Sequence, residues 1–180
     1  MNIKAVLTAA MVVLLSACNA TLPVNSDTAG AVLVVPTEIS KHPNAEYLKS
    51  FWLDFEPIGE GEPFRVVVNP EEGKQMQLET DIKPGYYRLA TFHVRARSAK
   101  GWDTTRLNQA FAVNIPLEIA DNAVTVWDYT MVYTITKKDG RTYTEHYDIK
   151  PLDNRLRADI KTRLGQMNAD GAWNIIYLGE

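Results

Sequence analysis

The chain has 180 residues, 46% of them hydrophobic and 23% charged, with a formal net charge of −3. That length suits one domain with a sizeable core. A mildly acidic chain with no basic cluster excludes nucleic acid as an expected partner and gives no charge-driven docking on an anionic leaflet.

The first elements concern export. Lys4 supplies a positive start, residues 5–15 form an apolar run too short to span a bilayer of about 30 Å, and the small residues Ser16 and Ala17 follow. The sequence therefore predicts a signal peptide over residues 1–17. Leu15-Ser16-Ala17-Cys18 resembles the lipobox of bacterial lipoproteins. That resemblance implies cleavage before Cys18, lipid on its sulfur, and acylation of the new amino group. In that family an Asp after the Cys favours inner-membrane retention, so Asn19 implies the outer membrane. Cleavage would leave 163 residues at a formal charge of −4. Cys18 is the only cysteine, so no disulfide is expected and packing must hold the body together.

Residues 18–30, small, polar and Pro-containing, read as a lipidated tether. Residues 31–180 form the predicted domain. Short β-rich runs fall at 31–35, 47–55, 64–69, 75–79, 86–97, 110–114, 124–136 and 142–150, punctuated by Pro36, Asn69-Pro70 and Lys83-Pro84-Gly85. Phe92 and Val94 have the opposite parity to Tyr87 and Leu89, which predicts a bulge near residues 90–91. In the last pair, Trp127, Tyr129, Met131, Tyr133 and Ile135 share one face. A three-residue loop, Lys138-Asp139-Gly140, pairs Ile135 with Tyr143, Met131 with Tyr147 and Tyr129 with Ile149, making that face core.

After Pro151 the period changes. Leu152, Leu156, Ile160, Leu164 and Met167 recur at helical spacing, predicting an amphipathic helix over about 152–167. Asp153 is its N-cap, and Asp159–Arg163 an i,i+4 pair. Residues 173–178 read as a final strand. The expected fold is therefore mainly β: an antiparallel β-sandwich with one C-terminal amphipathic helix.

Ile82-Lys83-Pro84-Gly85-Tyr86-Tyr87-Arg88-Leu89 is similar to the Leu-x-Pro-Gly-x-Tyr-x-Leu turn of prealbumin-like sandwich modules, with Ile82 in place of Leu. The resemblance implies a prealbumin- or Ig-like sandwich whose Tyr opens a core strand. It implies no activity.

Candidate chemistry is sparse. His42, His93 and His146 show no metal-ligand spacing; His93 and His146 could meet across strands beside Asp148, although exposed strand histidines are the simpler reading. No serine sits in a Gly-x-Ser-x-Gly elbow. Asp54, Glu56, Glu60 and Glu62 surround Gly59 and Gly61, either as an acidic loop or as carboxylates for hydrolysis or cation binding. His93, Arg95 and Arg97 alternate on one strand face, which is solvated or presents cations to an anionic glycan or an acidic partner. Trp52, Trp102, Trp127 and Trp173 could include a sugar-stacking platform; Trp127 and Trp173 lie in apolar rows and read as core, and Trp102, in a polar loop, is the best candidate contact residue. Cofactors and metals are not expected. The functional expectation is a non-enzymatic envelope lipoprotein that binds another envelope protein or serves an assembly. A glycan-binding module and a carboxylate hydrolase are the alternatives.

Overall fold

A computed structural model describes residues 22–25, 30–46, 49–96, 108–138 and 143–179. Residues 1–17, read from the sequence as a signal peptide, lie outside the described residues, as do Cys18, Arg97, Trp102, Asp139 and Gly140.

The strands are β1 (Ala31–Lys41), β2 (Lys49–Pro57), β3 (Phe64–Val68), β4 (Met76–Ile82), β5 (Gly85–Ala96), β6 (Gln109–Ile119), β7 (Ala123–Val126), β8 (Tyr129–Lys137), β9 (Tyr143–Pro151) and β10 (Asn174–Tyr177). Among the described residues one helix, α1 (Asn154–Met167), precedes β10. The fold is thus mainly β, with two sheets and a C-terminal helix. β3-β2-β5-β6 make one sheet, and β10-β7-β1-β8-β9 make the other, with β4 on β1.

The four-stranded sheet is antiparallel throughout, as expected. The six-stranded sheet is mixed: β1 runs parallel to β7 and β8, and β7 parallel to β10. Hydrophobic period reports which face a residue takes and not which way its neighbour runs, so the parallel pairs escape a reading of the sequence. Parallel neighbours need long connections. Here the whole four-stranded sheet lies between β1 and β7 in the chain, and β8, β9 and α1 connect β7 to β10.

β1 explains itself by burial. Residues 31–37 are all buried, and the continuous apolar run over 31–36 belongs to a strand covered on both faces. Ala31, Leu33 and Val35 enter a core shared with Phe51, Leu53 and Phe55 of β2 and Leu89 of β5. Val32 and Val34 face the other way, into a second cluster with Leu156, Ile160 and Leu164 of α1. Pro36 interrupts nothing. It stands where β1 changes neighbour from β7 to β8, beside the break at Trp127-Asp128.

α1 forms where its period predicts. Asp153 caps it, accepting from the Leu156 amide at 2.8 Å, and Leu156, Ile160 and Leu164 are its buried row. Asp159 accepts from Gln75 at 3.3 Å instead of pairing with Arg163. The turn before β5 also matches its reading: Tyr87 is buried and its hydroxyl donates to the Lys83 carbonyl at 2.9 Å, tying the corner where the chain passes between sheets.

The β8–β9 hairpin and the N-terminal segment also differ from expectation. The β8–β9 hairpin keeps odd residues opposite odd ones, but two positions further along: Tyr133 faces Tyr147, Met131 faces Ile149 and Lys137 faces Tyr143. A two-residue slip preserves every face, so alternation could not detect it. The observed register sets Glu145 where it accepts from the Tyr133 hydroxyl at 2.5 Å. The second difference concerns the tether. Leu22 is buried in the α1 cluster, Trp173 Nε1 donates to the Pro23 carbonyl at 2.8 Å, and Asn25 Nδ2 donates to the Ala172 carbonyl at 2.5 Å. Residues 22–25 therefore belong to the body, because Leu22 has an apolar site to fill.

Gly30 marks a close approach: a Cβ there would lie 2.6 Å from the backbone of Asp81, itself at a φ of 60° in a bulge of β4. Gly30→Ala should lower stability by about 1–3 kcal/mol, and Ile160→Ala by about 2–5 kcal/mol. Urea unfolding checks both, and an unchanged midpoint for Ile160→Ala would contradict the two-cluster packing.

Candidate functional site

The outer face of the four-stranded sheet gathers the chemistry. In β2, Phe51, Leu53 and Phe55 point into the shared core, so Trp52 and Asp54 point out. In β3, Val66 and Val68 point in and Arg65 points out. β5 would carry the wrong parity without its bulge. The register shifts between Leu89 and Thr91, as the sequence predicts. Tyr87, Leu89, Phe92 and Val94 therefore all reach the core, which turns His93 and Arg95 outward.

The pairing then places them together. Trp52 stands between Val67 of β3 and His93 of β5, and Asp54 stands opposite Arg65. Arg65 grips Asp54 with two hydrogen bonds, Nε to Oδ1 at 2.5 Å and Nη2 to Oδ2 at 2.8 Å. His93 Nε2 lies 2.9 Å from Asp54 Oδ2. The Arg65 and Arg95 guanidinium carbons each lie 4.5 Å from the centre of the Trp52 ring, one arriving from β3 and the other from β5. Asp54 fixes Arg65 in place. Arg95 has no carboxylate partner among the described residues, and its Nε is shielded without a hydrogen bond. The cluster carries two guanidinium groups against one carboxylate.

The hydrogen bonds from Arg65 hold the Asp54 carboxyl below its ordinary range; partial burial opposes this and the His93 contact assists it. The same pairing raises Arg65.

The residues singled out from sequence divide as follows. His93 and Arg95 lie side by side on the predicted face. His93 is less solvated than expected, with its side chain 17% exposed beside Trp52 and Asp54. His146 belongs to β9 in the other sheet and does not meet His93. Glu56 pairs with Arg88 at 2.9 Å and Glu62 with Lys83 at 3.2 Å, so these two carboxylates hold separate cations, and Glu60 joins neither pair. Trp127 and Trp173 are core, as read. Arg65 was missed as a site residue, and Trp52 was named only as one of four tryptophans that could stack on a ligand. Only the β2–β3 register connects them, and no local pattern encodes it.

Among the described residues no group of three or more His, Cys, Asp and Glu side chains could hold a metal. No helix of these residues is long and apolar enough to cross a membrane.

Because Asp54 has a depressed pKa, its contribution to stability is complete above its unfolded value of about 4 and is lost as pH falls through the lower folded value. Asp54→Asn should cost no more than about 1 kcal/mol at neutral pH, since the pair is partly solvated. The gap between variant and parent urea midpoints should close in acid; a gap that widens there would contradict the assignment.

No family model matches the chain, and comparisons with curated proteins and with solved structures return no match either.

Proposed function

We propose that this chain is a lipid-anchored protein of the bacterial cell envelope. Its body has no enzymatic role and binds another envelope protein through the outer face of the four-stranded sheet. The signal-like segment and the lipobox ending in Cys18 support the anchor, and Asn19 supports the outer membrane. The core common to both sheets and the Tyr87 corner support a β-sandwich of prealbumin- or Ig-like outline.

One observation carries the binding reading: Trp52 with Arg65 and Arg95 over its ring, at the middle of a sheet face. Trp and Arg are the side chains on which protein interfaces concentrate their energy. Here their rotamers are already restrained by stacking and by Asp54, so less entropy is lost on docking. The excess of guanidinium suits an acidic partner surface. A sugar-stacking module would need a bare aromatic face, and the two guanidinium groups cover that of Trp52. A carboxylate hydrolase has less support still, because Asp54, Glu56 and Glu62 each hold a separate cation.

Crosslinking in intact envelopes followed by purification should return a reproducible protein partner. Trp52→Ala should reduce its recovery about tenfold, equivalent to about 1.4 kcal/mol, with an unchanged circular dichroism spectrum. A parent protein that returns no reproducible partner, or a Trp52→Ala variant that recovers it undiminished, would refute the reading.

A further inference from the structure

The docked N-terminal segment fixes where an anchor would leave the body. Leu22 is buried among the α1 cluster, and Pro23 and Asn25 are bonded to Trp173 and Ala172. Asn168 holds Trp173 in turn, its side-chain amide bonding both the Trp173 carbonyl at 2.8 Å and the Trp173 amide at 3.0 Å. Together with the start of β4 and the end of α1, this segment borders an open groove of about 1150 Å³. The exit point therefore lies on the helix side of the six-stranded sheet.

Cys18 precedes Leu22 by four residues. A chain spans at most about 3.3–3.6 Å per residue, so the Cys18 backbone lies within roughly 14 Å of docked Leu22. A compact body of the mature length has a radius of gyration of about 15 Å and measures roughly 40 Å across. The leash is shorter than the body it holds. Trp52, His93 and Arg95, meanwhile, alternate with Phe51, Leu53, Phe92 and Val94, which face the six-stranded sheet. The two features belong to opposite faces of the fold.

We propose that the Cys18 lipid holds the α1 layer and its groove against the bilayer surface, so that the Trp52–Arg65–Arg95 face looks away from that membrane. This rests on the lipoprotein reading above. The near surface fits apposition to headgroups without charge-driven adhesion. Arg163 and Lys74 at the groove are offset by Glu71, Glu72 and Asp170, and Val24 is 88% exposed there. Orientation is therefore imposed by the leash. A partner would be met at the far side, in the aqueous space the anchor faces.

The test uses the full lipidated protein, purified from membranes and reconstituted in phosphatidylethanolamine–phosphatidylglycerol vesicles bearing a headgroup-attached acceptor dye. With the Cys18 sulfur acylated, Gln166→Cys at the groove and Val67→Cys beside Trp52 each supply a single thiol for a donor dye; both positions are exposed. Energy transfer should be roughly twofold or more higher from position 166 than from position 67, given the leash and body dimensions. A long Gly/Ser insertion between Thr21 and Leu22 should equalise them. Equal transfer in the parent, with an acylated Cys18 seen by mass spectrometry, overturns the orientation alone. A difference that survives the insertion overturns the leash as its cause. A free thiol at Cys18 or a retained leader overturns the lipoprotein reading together with it.

Discussion

Burial of β1 on both faces is the constraint from which the rest of the fold follows. Its odd residues pack against the four-stranded sheet and its even residues against α1, so one strand forms the wall between two clusters. No polar side chain could be placed along residues 31–35 without facing one core or the other. Hydrogen bonding must then come from neighbours on both edges, which β4 supplies on one side and β7 with β8 on the other. Accommodating β7 and β8 along one strand needs a break in them, and Trp127-Asp128 provides it. The break in turn admits Pro36 into a central strand at the position where the ladder changes partner.

The same logic of parity produces the candidate site. A residue at Ala90 left out of the β2–β5 register reverses the outward set of β5 midway along its length. Before it, Tyr86 and Arg88 face outward; after it, Thr91, His93 and Arg95 do. Without the bulge either Tyr87 and Leu89 or Phe92 and Val94 would leave the core, and with the second arrangement His93 and Arg95 would be driven into it. The Trp52 cluster is therefore tied to core packing through one extra residue. Its fixed geometry is inherited from the sheet and not from a loop.

How much of this the sequence reveals depends on the range over which each feature is encoded. α1, its Asp153 cap and its buried row are local and periodic, and they are legible. So are the Tyr87 corner and the β5 bulge, the latter because two apolar rows of opposite parity in one strand have no other solution. Strand direction in the six-stranded sheet is set by connections spanning most of the chain, and nothing local encodes it. The hairpin register differs from its reading by a shift that leaves every face unchanged. His93 and Arg95 were legible as a row. Their partners Trp52, Asp54 and Arg65 come from two other strands, and only cross-strand register reveals the guanidinium–indole stack. Docking of Leu22 was hidden by the polar composition of its neighbours.

If the body binds a partner as proposed, the edges of the two sheets favour a face over strand addition as the route. Among the described residues β4 pairs only with β1, and an open strand edge is a template for unwanted pairing. There Glu79 sits opposite Leu33, on the core-facing side of its strand, and desolvation raises its pKa. An ionised carboxylate so placed costs stability at neutral pH, and the cost is relieved as the group is protonated. Its placement is comprehensible as a charge that would be buried outright if another strand added to β4. The bulge at Asp81 distorts the same edge, while β3 and β10 are short and β6 carries Pro116. Recognition through backbone ladders is thereby obstructed at several edges at once. The outer face of the four-stranded sheet has no such obstruction, and it carries Trp52 between the guanidinium groups of Arg65 and Arg95.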